Sequence, residues 1–175
     1  TERAQETLNI LSEEGETYDF ILLLQGDEPQ IFPDDIKNLS DAFCGSKLEI
    51  VNLVYPIDGD DLGNPNVVKA IMSNTSKISF FTRAHVPNRS NNAMRQLGMI
   101  GFTIAALTQY TNLHPTPLEE LESIDMMRLL ENDYEINAVI SSSPILGVDN
   151  PEDIAKAELM MTKDLLLETY QDKYL

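Results

Sequence analysis

This 175-residue sequence predicts an α/β fold, on three observations. Apolar runs of strand length alternate with amphipathic stretches of helix length along the whole chain, the pattern of a layered sheet-and-helix domain. The run Phe20-Ile21-Leu22-Leu23-Leu24 is continuously apolar, as a strand buried on both faces must be. Two segments, Pro33-Asp34-Asp35 and Asn150-Pro151-Glu152-Asp153, place Pro at a helix start with acids in the first turn.

The elements follow in order. Residues 2–13 carry Ala4, Leu8, Ile10 and Leu11 at helical spacing and end near Gly15. A strand over 18–24 leads into the turn Gln25-Gly26-Asp27-Glu28-Pro29, and the Pro33 helix buries Ile36, Leu39 and Phe43 before stopping at Gly45. Residues 48–55 are strand-like, and 58–66, with Gly, Asp, Asn and Pro, form a loop. Two short strands, 67–72 and 78–82, flank Ser73-Asn74-Thr75-Ser76 as a hairpin, and the polar segment 87–94 follows. A strand over 97–103 precedes a helix near 104–111, and Pro115-Thr116-Pro117 opens a longer helix over 118–131. A strand over 136–141 and a last helix from 151 to about 170 complete the domain, which is read as a single unit over 1–175.

Composition narrows the function. A formal charge of −17, spread along the chain, argues against nucleic-acid or anionic-membrane partners. No apolar run is long enough to span a bilayer, and the first residues do not resemble a secretory signal. The single cysteine, Cys44, excludes an internal disulfide and fits a reducing, cytoplasmic compartment. An acidic protein that binds phosphates needs a cation or a local basic cluster to do so.

The chemistry centres on the Gln25–Pro29 turn, because open α/β sheets bind ligands just beyond their strand ends. Asp27 there is a candidate ligand for a divalent cation. Asp149 follows a strand-like segment in the same way; it serves either as a helix cap or as a second carboxylate facing Asp27. Arg83 and Arg95 flank the polar segment, and each could grip a carboxylate. His85 and His114 are too isolated for a zinc site or a triad, there is no Gly-x-Ser-x-Gly elbow, and Cys44 has no base near it in sequence. Nucleophilic hydrolysis is therefore disfavoured.

Six segments in the same order resemble the 3-deoxy-manno-octulosonate (Kdo) cytidylyltransferases. They are Gln25-Gly26-Asp27-Glu28-Pro29, Asn64-Pro65-Asn66-Val67-Val68-Lys69, Phe81-Thr82-Arg83-Ala84, Arg95-Gln96-Leu97-Gly98-Met99-Ile100-Gly101-Phe102, Pro115-Thr116-Pro117-Leu118-Glu119 and Gly147-Val148-Asp149-Asn150-Pro151-Glu152-Asp153. The resemblance implies a Rossmann-like nucleotidyltransferase fold with a mixed, mostly parallel sheet flanked by helices. It implies a Mg²⁺-dependent transfer of CMP from CTP to a sugar acid, releasing pyrophosphate, for lipopolysaccharide or capsule synthesis. Asp27 and Asp149 match the family's metal-binding acids, and Gln25 and Arg83 match positions that hold the sugar acid. A homodimer pairing through 67–94 is implied as well.

The departures from the family pattern carry expectations of their own. Gln96 stands where the family has His, Ile100 where it has Tyr, and Asp125-Met126 where it has Glu-Gln. Gln96 and Asp125 can still hydrogen-bond to a sugar, whereas Ile100 and Met126 cannot, so a related sugar acid is the expected substrate. Family members begin with a strand and a basic triphosphate loop. Here Thr1-Glu2-Arg3-Ala4 aligns beyond that loop, which places Thr1 and Arg3 where the family contacts the nucleotide. These 175 residues alone are accordingly expected to turn over no CTP. The competing readings are a non-catalytic module that keeps the fold and dimer surface, and a CMP-nonulosonate synthetase.

Overall fold

The structure, a computed structural model, describes residues 1–57, 59–86, 93–148, 150–164 and 166–167. Its elements are α1 (Glu2–Glu13), β1 (Phe20–Leu24), α2 (Pro33–Phe43), β2 (Ile50–Pro56), α3 (Gly59–Leu62), β3 (Lys69–Met72), β4 (Lys77–Thr82), β5 (Met94–Thr103), α4 (Ile104–Asn112), α5 (Pro117–Glu122), α6 (Met127–Glu131), β6 (Ile136–Ile140) and α7 (Pro151–Met161). Strands and helices alternate as predicted.

The strands form one sheet in the order β1-β5-β2-β6-β4-β3. In direction, β1, β2, β3 and β6 run one way and β4 and β5 the other. The expectation of a mostly parallel sheet therefore holds for strand direction but not for pairing. Among the described strands β2–β6 is the parallel pair, because β5 returns between β1 and β2 and the β3–β4 hairpin folds back on itself.

The continuously apolar β1, expected to be buried on both faces, is an edge strand that is half-buried with Leu24 exposed, because only β5 pairs with it; the central position belongs to β2. Ile50 and Val54 face one hydrophobic cluster, with Leu8 of α1, Leu107 and Tyr110 of α4 and Met127 and Leu129 of α6. Val51 and Leu53 face a second cluster, with Leu39 of α2, Leu97, Met99 and Ile145. Helices thus cover both faces of the sheet. Phe20 and Phe43 stack at 4.8 Å beside the second cluster.

Three further expectations need adjustment. The loop at 58–66 contains the single turn α3. The helix expected over 118–131 is broken: α5 stops at Ser123, whose φ of 54° is left-handed, and α6 resumes at Met127. The cause is tertiary. Thr82 Oγ1 and the Arg83 backbone N–H donate to the Glu122 carboxylate, and the Arg83 guanidinium takes the carbonyls of Glu122 and Ser123 that helix bonds would use. α7 ends at Met161 and buries only Ala157; Leu167 is helical again, and positions 165 and 168–170 of the expected helix lie outside the described residues. Of the polar segment 87–94, positions 87–92 also lie outside them.

Arg128 of α6 ties this side of the molecule together. It is 8% exposed, donates to Glu119 through Nε at 2.8 Å and Nη2 at 2.5 Å, and lies 4.7 Å from the Tyr110 ring centre. Arg128→Ala leaves the half-buried Glu119 carboxylate without its charged partner, so a loss of about 1–3 kcal/mol in urea unfolding is expected. The hydrogen bonds from Arg128 hold the Glu119 carboxyl below its ordinary 4.5. That stabilisation is complete above the ordinary value and is lost as pH falls through the lowered one. The wild-type advantage over the variant should shrink on acidification.

Candidate active site

One edge of β5 changes partners. Near its start β5 pairs with β3, Arg95 opposite Lys69, and the Gln96 N–H donates to the Val68 carbonyl at 2.9 Å. From Met99 onward the same edge pairs with β1, and the Gln25 N–H donates to the Gly98 carbonyl at 3.0 Å. The split between the two partners opens a cleft at the C-terminal end of β1. A change of partner at strand ends is where sheets of this class place ligands.

The other edge of β5 bulges at the same place. Asn52 of β2 lies opposite Ile100 and Val54 opposite Gln96, so Leu53 alone faces three residues. Asn52, fully buried, bridges the irregularity. Its Nδ2 donates to the carbonyls of Leu53, Leu97 and Met99 at 2.9, 3.0 and 3.3 Å. Its Oδ1 accepts from Gln96 Nε2 at 2.7 Å, which fixes the amide of Gln96.

Gly98 joins this bulge to the turn after β1. Its N–H donates to Glu28 Oε1 at 2.8 Å, and Glu28 is 8% exposed. A Cβ at Gly98 would lie 2.6 Å from Gln25 Oε1 and 2.8 Å from Gln25 Cβ, so only glycine lets Gln25 rest on β5. The Asp27 carbonyl accepts from the Val148 N–H at 2.8 Å, which brings the loop after β6 against the turn. That loop is anchored by Ser141 Oγ, which donates to Asp35 Oδ2 at 2.8 Å. Burial raises the pKa of Asp35.

The cleft has a volume of about 830 Å³ and is lined by Gln25, Asp27, Glu28, residues 65–68, Arg83, residues 95–98, residues 123–125, Gly147 and Asn150. That size falls within the ordinary range for small-molecule sites. Below it Lys69 is fully buried, with Nζ donating to the carbonyls of Asn64 at 2.6 Å and Arg83 at 3.0 Å. Burial lowers its pKa. The two carbonyls hold the 64–66 loop in place beside the cleft.

Of the site residues expected from the sequence, Gln25, Asp27, Arg83, Gln96 and Asp125 all line this cleft. Thr1 stands next to it, its hydroxyl donating to Asp125 Oδ2 at 3.0 Å. Arg3 is exposed on α1 and is not among the lining residues. Asp149 lies outside the described residues, although Gly147 and Asn150 on either side of it line the cleft. Ile100 and Met126 are 3% and 0% exposed within the first hydrophobic cluster and do not line it. Sequence reasoning passed over Asn52 and the fixing role of Glu28. A lone Asn in the apolar run Ile50-Val51-Asn52-Leu53-Val54 was the available signal.

Asp27 is exposed in the cleft, and its carboxylate has no hydrogen-bond or salt-bridge partner among the described residues. No group of three or more His, Cys, Asp or Glu gathers as a metal site among those residues. An exposed, unpartnered carboxylate such as Asp27 is of the kind Mg²⁺ accepts, one or two carboxylates with water and substrate phosphates filling its shell.

A family model described as "Cytidylyltransferase" matches residues 1–137. A 3-deoxy-manno-octulosonate cytidylyltransferase from Parabacteroides distasonis is 32% identical over 158 residues, 82% of this chain. One from Rickettsia bellii is 30% identical over 167 residues, 95% of this chain. The chain spans 63% of the length of the first and 68% of the second. The structure of CMP:2-keto-3-deoxy-manno-octonic acid synthetase complexed with CTP shares the fold, with a TM-score of 0.78 at 23% identity, covering 89% of this chain and 67% of the other.

Proposed function

The chain belongs to the cytidylyltransferase family, and on that premise we propose that its strand-end cleft transfers CMP from CTP to a 3-deoxy sugar acid, releasing pyrophosphate. The observation that carries the proposal is the gathering of Gln25, Asp27, Arg83, Gln96 and Asp125 from separate segments around the β1–β5 split. Support also comes from the relatives, which are 3-deoxy-manno-octulosonate cytidylyltransferases.

In this reading Asp27 and Asp149 hold a Mg²⁺ ion, which would offset phosphate charge and lower the pKa of the attacking sugar hydroxyl. Gln25 rests on Gly98 and presents its amide to the sugar. Gln96, which Asn52 fixes two residues before Gly98 on β5, supplies a neutral, non-titrating hydrogen-bonding group to the cleft. Asp125, next to Thr1, provides an acceptor for sugar hydroxyls, and Thr1 and Arg3 mark the nucleotide side. The product would serve lipopolysaccharide or capsule synthesis in the cytoplasm, with 67–94 as the homodimer element. Among the described residues no helix is long and apolar enough to cross a membrane.

The substrate is a relative of Kdo. Ile100 and Met126 are packed in the core, so the polar contacts fall to Gln25, Gln96 and Asp125. A site with fewer polar partners discriminates against a sugar that needs them. In the full-length protein, kcat/KM should be about tenfold higher or more for an amino-substituted or less hydroxylated 3-deoxy sugar acid than for Kdo. A strong preference for Kdo would discard the substrate shift and leave cytidylyl transfer in place.

A further inference from the structure

Asn52 is a fully buried amide among the apolar residues at 50–54 of β2. Burying an amide is costly unless its hydrogen-bonding groups find partners. Here they do, and the partners leave no freedom in its orientation. Backbone carbonyls only accept, so the nitrogen of Asn52 must face those of Leu53, Leu97 and Met99. Its oxygen therefore faces Gln96.

The same constraint passes outward to the cleft. An oxygen acceptor at 2.7 Å requires a donor, so Gln96 must turn its Nε2 toward Asn52. The backbone of Gln96 is held as well, its N–H donating to the Val68 carbonyl at 2.9 Å. Gln96 is half-buried and lines the cleft, and its Oε1 accepts from no group among the described residues. Buried backbone carbonyls thus decide, through Asn52, which end of the Gln96 amide is left for a ligand. A free glutamine flips to suit a donor or an acceptor; this one is locked.

We propose that Asn52 is a positioning residue that makes Gln96 a fixed hydrogen-bond acceptor, so that the cleft selects at this point a ligand group that donates: a hydroxyl, an amide N–H or an ammonium. The carboxylate of an acidic ligand, which only accepts, is turned away from Gln96. The identity of the ligand rests on the sugar-acid reading above; the orientation of the two amides does not.

The test uses Kdo and its deoxyfluoro analogues, each with one non-anomeric hydroxyl replaced by fluorine, which has a similar size and cannot donate. Binding to the full-length protein is measured calorimetrically between about pH 5.5 and 8, a range that spans the titration of histidine. Exchange of the Gln96 side-chain amide proton is followed by NMR. In the wild type, fluorine at one position should weaken binding about 3- to 10-fold at every pH. Gln96→Met should abolish that penalty. Gln96→His should keep it at high pH, where one ring nitrogen donates to Asn52 and the other accepts. The penalty should vanish in this variant as pH falls through about 6.5, because both nitrogens then donate. The amide proton should exchange slowly in the wild type and fast in Asn52→Leu. Gln96→Met and Gln96→His leave the bonds from Asn52 to the carbonyls in place, so the test does not depend on the folding of Asn52→Leu.

No penalty at any position, or penalties that all survive Gln96→Met, overturns the proposal. So does a penalty that grows as the histidine variant is protonated, or a Gln96 amide that exchanges as fast as an exposed glutamine. If Kdo and all its analogues fail to bind, the Kdo-type ligand falls, and slow exchange leaves the orientation of Gln96 standing.

Discussion

Asp27→Asn should reduce the rate of cytidylyl transfer by 10²- to 10³-fold, on the order of the loss when one preorganised charge-stabilising group is removed, and should leave folding intact. The two halves of that expectation come from the same observation. The Asp27 carboxylate is exposed in the cleft and has no partner among the described residues, so it contributes little to the folded state. Loss of an exposed, unpartnered carboxylate alters stability by no more than about 0.5 kcal/mol. In the active-site reading the same group is half of the protein's hold on Mg²⁺, and an amide in its place is neutral. Raising the Mg²⁺ concentration should recover part of the rate. A variant with wild-type rates at limiting Mg²⁺ would remove Asp27 from the chemistry.

Gly98→Ala should carry the second large effect, through geometry instead of charge. The added methyl group would meet Gln25 at its Cβ, Cδ and Oε1 between 2.6 and 2.9 Å, and the Cβ contact cannot be relieved by turning the end of the side chain. Gly98 is also bonded to the turn on both sides, through its N–H to Glu28 and its carbonyl to Gln25. The turn that carries Asp27 must therefore move. A displacement of about 1 Å at a reacting site lowers turnover by as much as 10²-fold. Overpacking should destabilise the fold by about 1–3 kcal/mol as well.

Gly101→Ala provides the contrast. Its Cβ would crowd Phe43, Val51 and Leu22 at 2.7 to 2.9 Å, away from the cleft. That variant should lose stability with kcat/KM retained in the folded fraction. Equal kinetic losses at both glycines would show that the Gly98 effect is one of folding.

The strand-end site was legible because its signals are local. A continuous apolar run marks β1, and the acidic turn beyond it follows in the sequence, so Asp27 could be placed with no knowledge of the rest of the sheet. The hairpin, the Pro33 helix and the Pro151 helix start were legible for the same reason. What escaped is set by contacts distant in sequence. The break at Ser123 depends on Thr82 and Arg83, about 40 residues away, drawing Glu122 out of a helical register. The bulge in β5 depends on Asn52, whose amide reaches carbonyls 45 and 47 residues away. Arg83 lines the cleft as expected, and only the fold shows that its guanidinium also reaches the backbone carbonyls of Pro65, Asn66, Glu122 and Ser123.

Cytidylyl transfer is tested most directly by phosphorus NMR of the full-length protein mixed with CTP, Mg²⁺ and a series of 3-deoxy sugar acids. The prediction is that CTP is consumed with equal appearance of pyrophosphate and a CMP-sugar, and that both signals vanish on chelating Mg²⁺ or in the Asp27→Asn variant. CTP left intact with every sugar acid, or consumed equally well with Mg²⁺ removed, would contradict it.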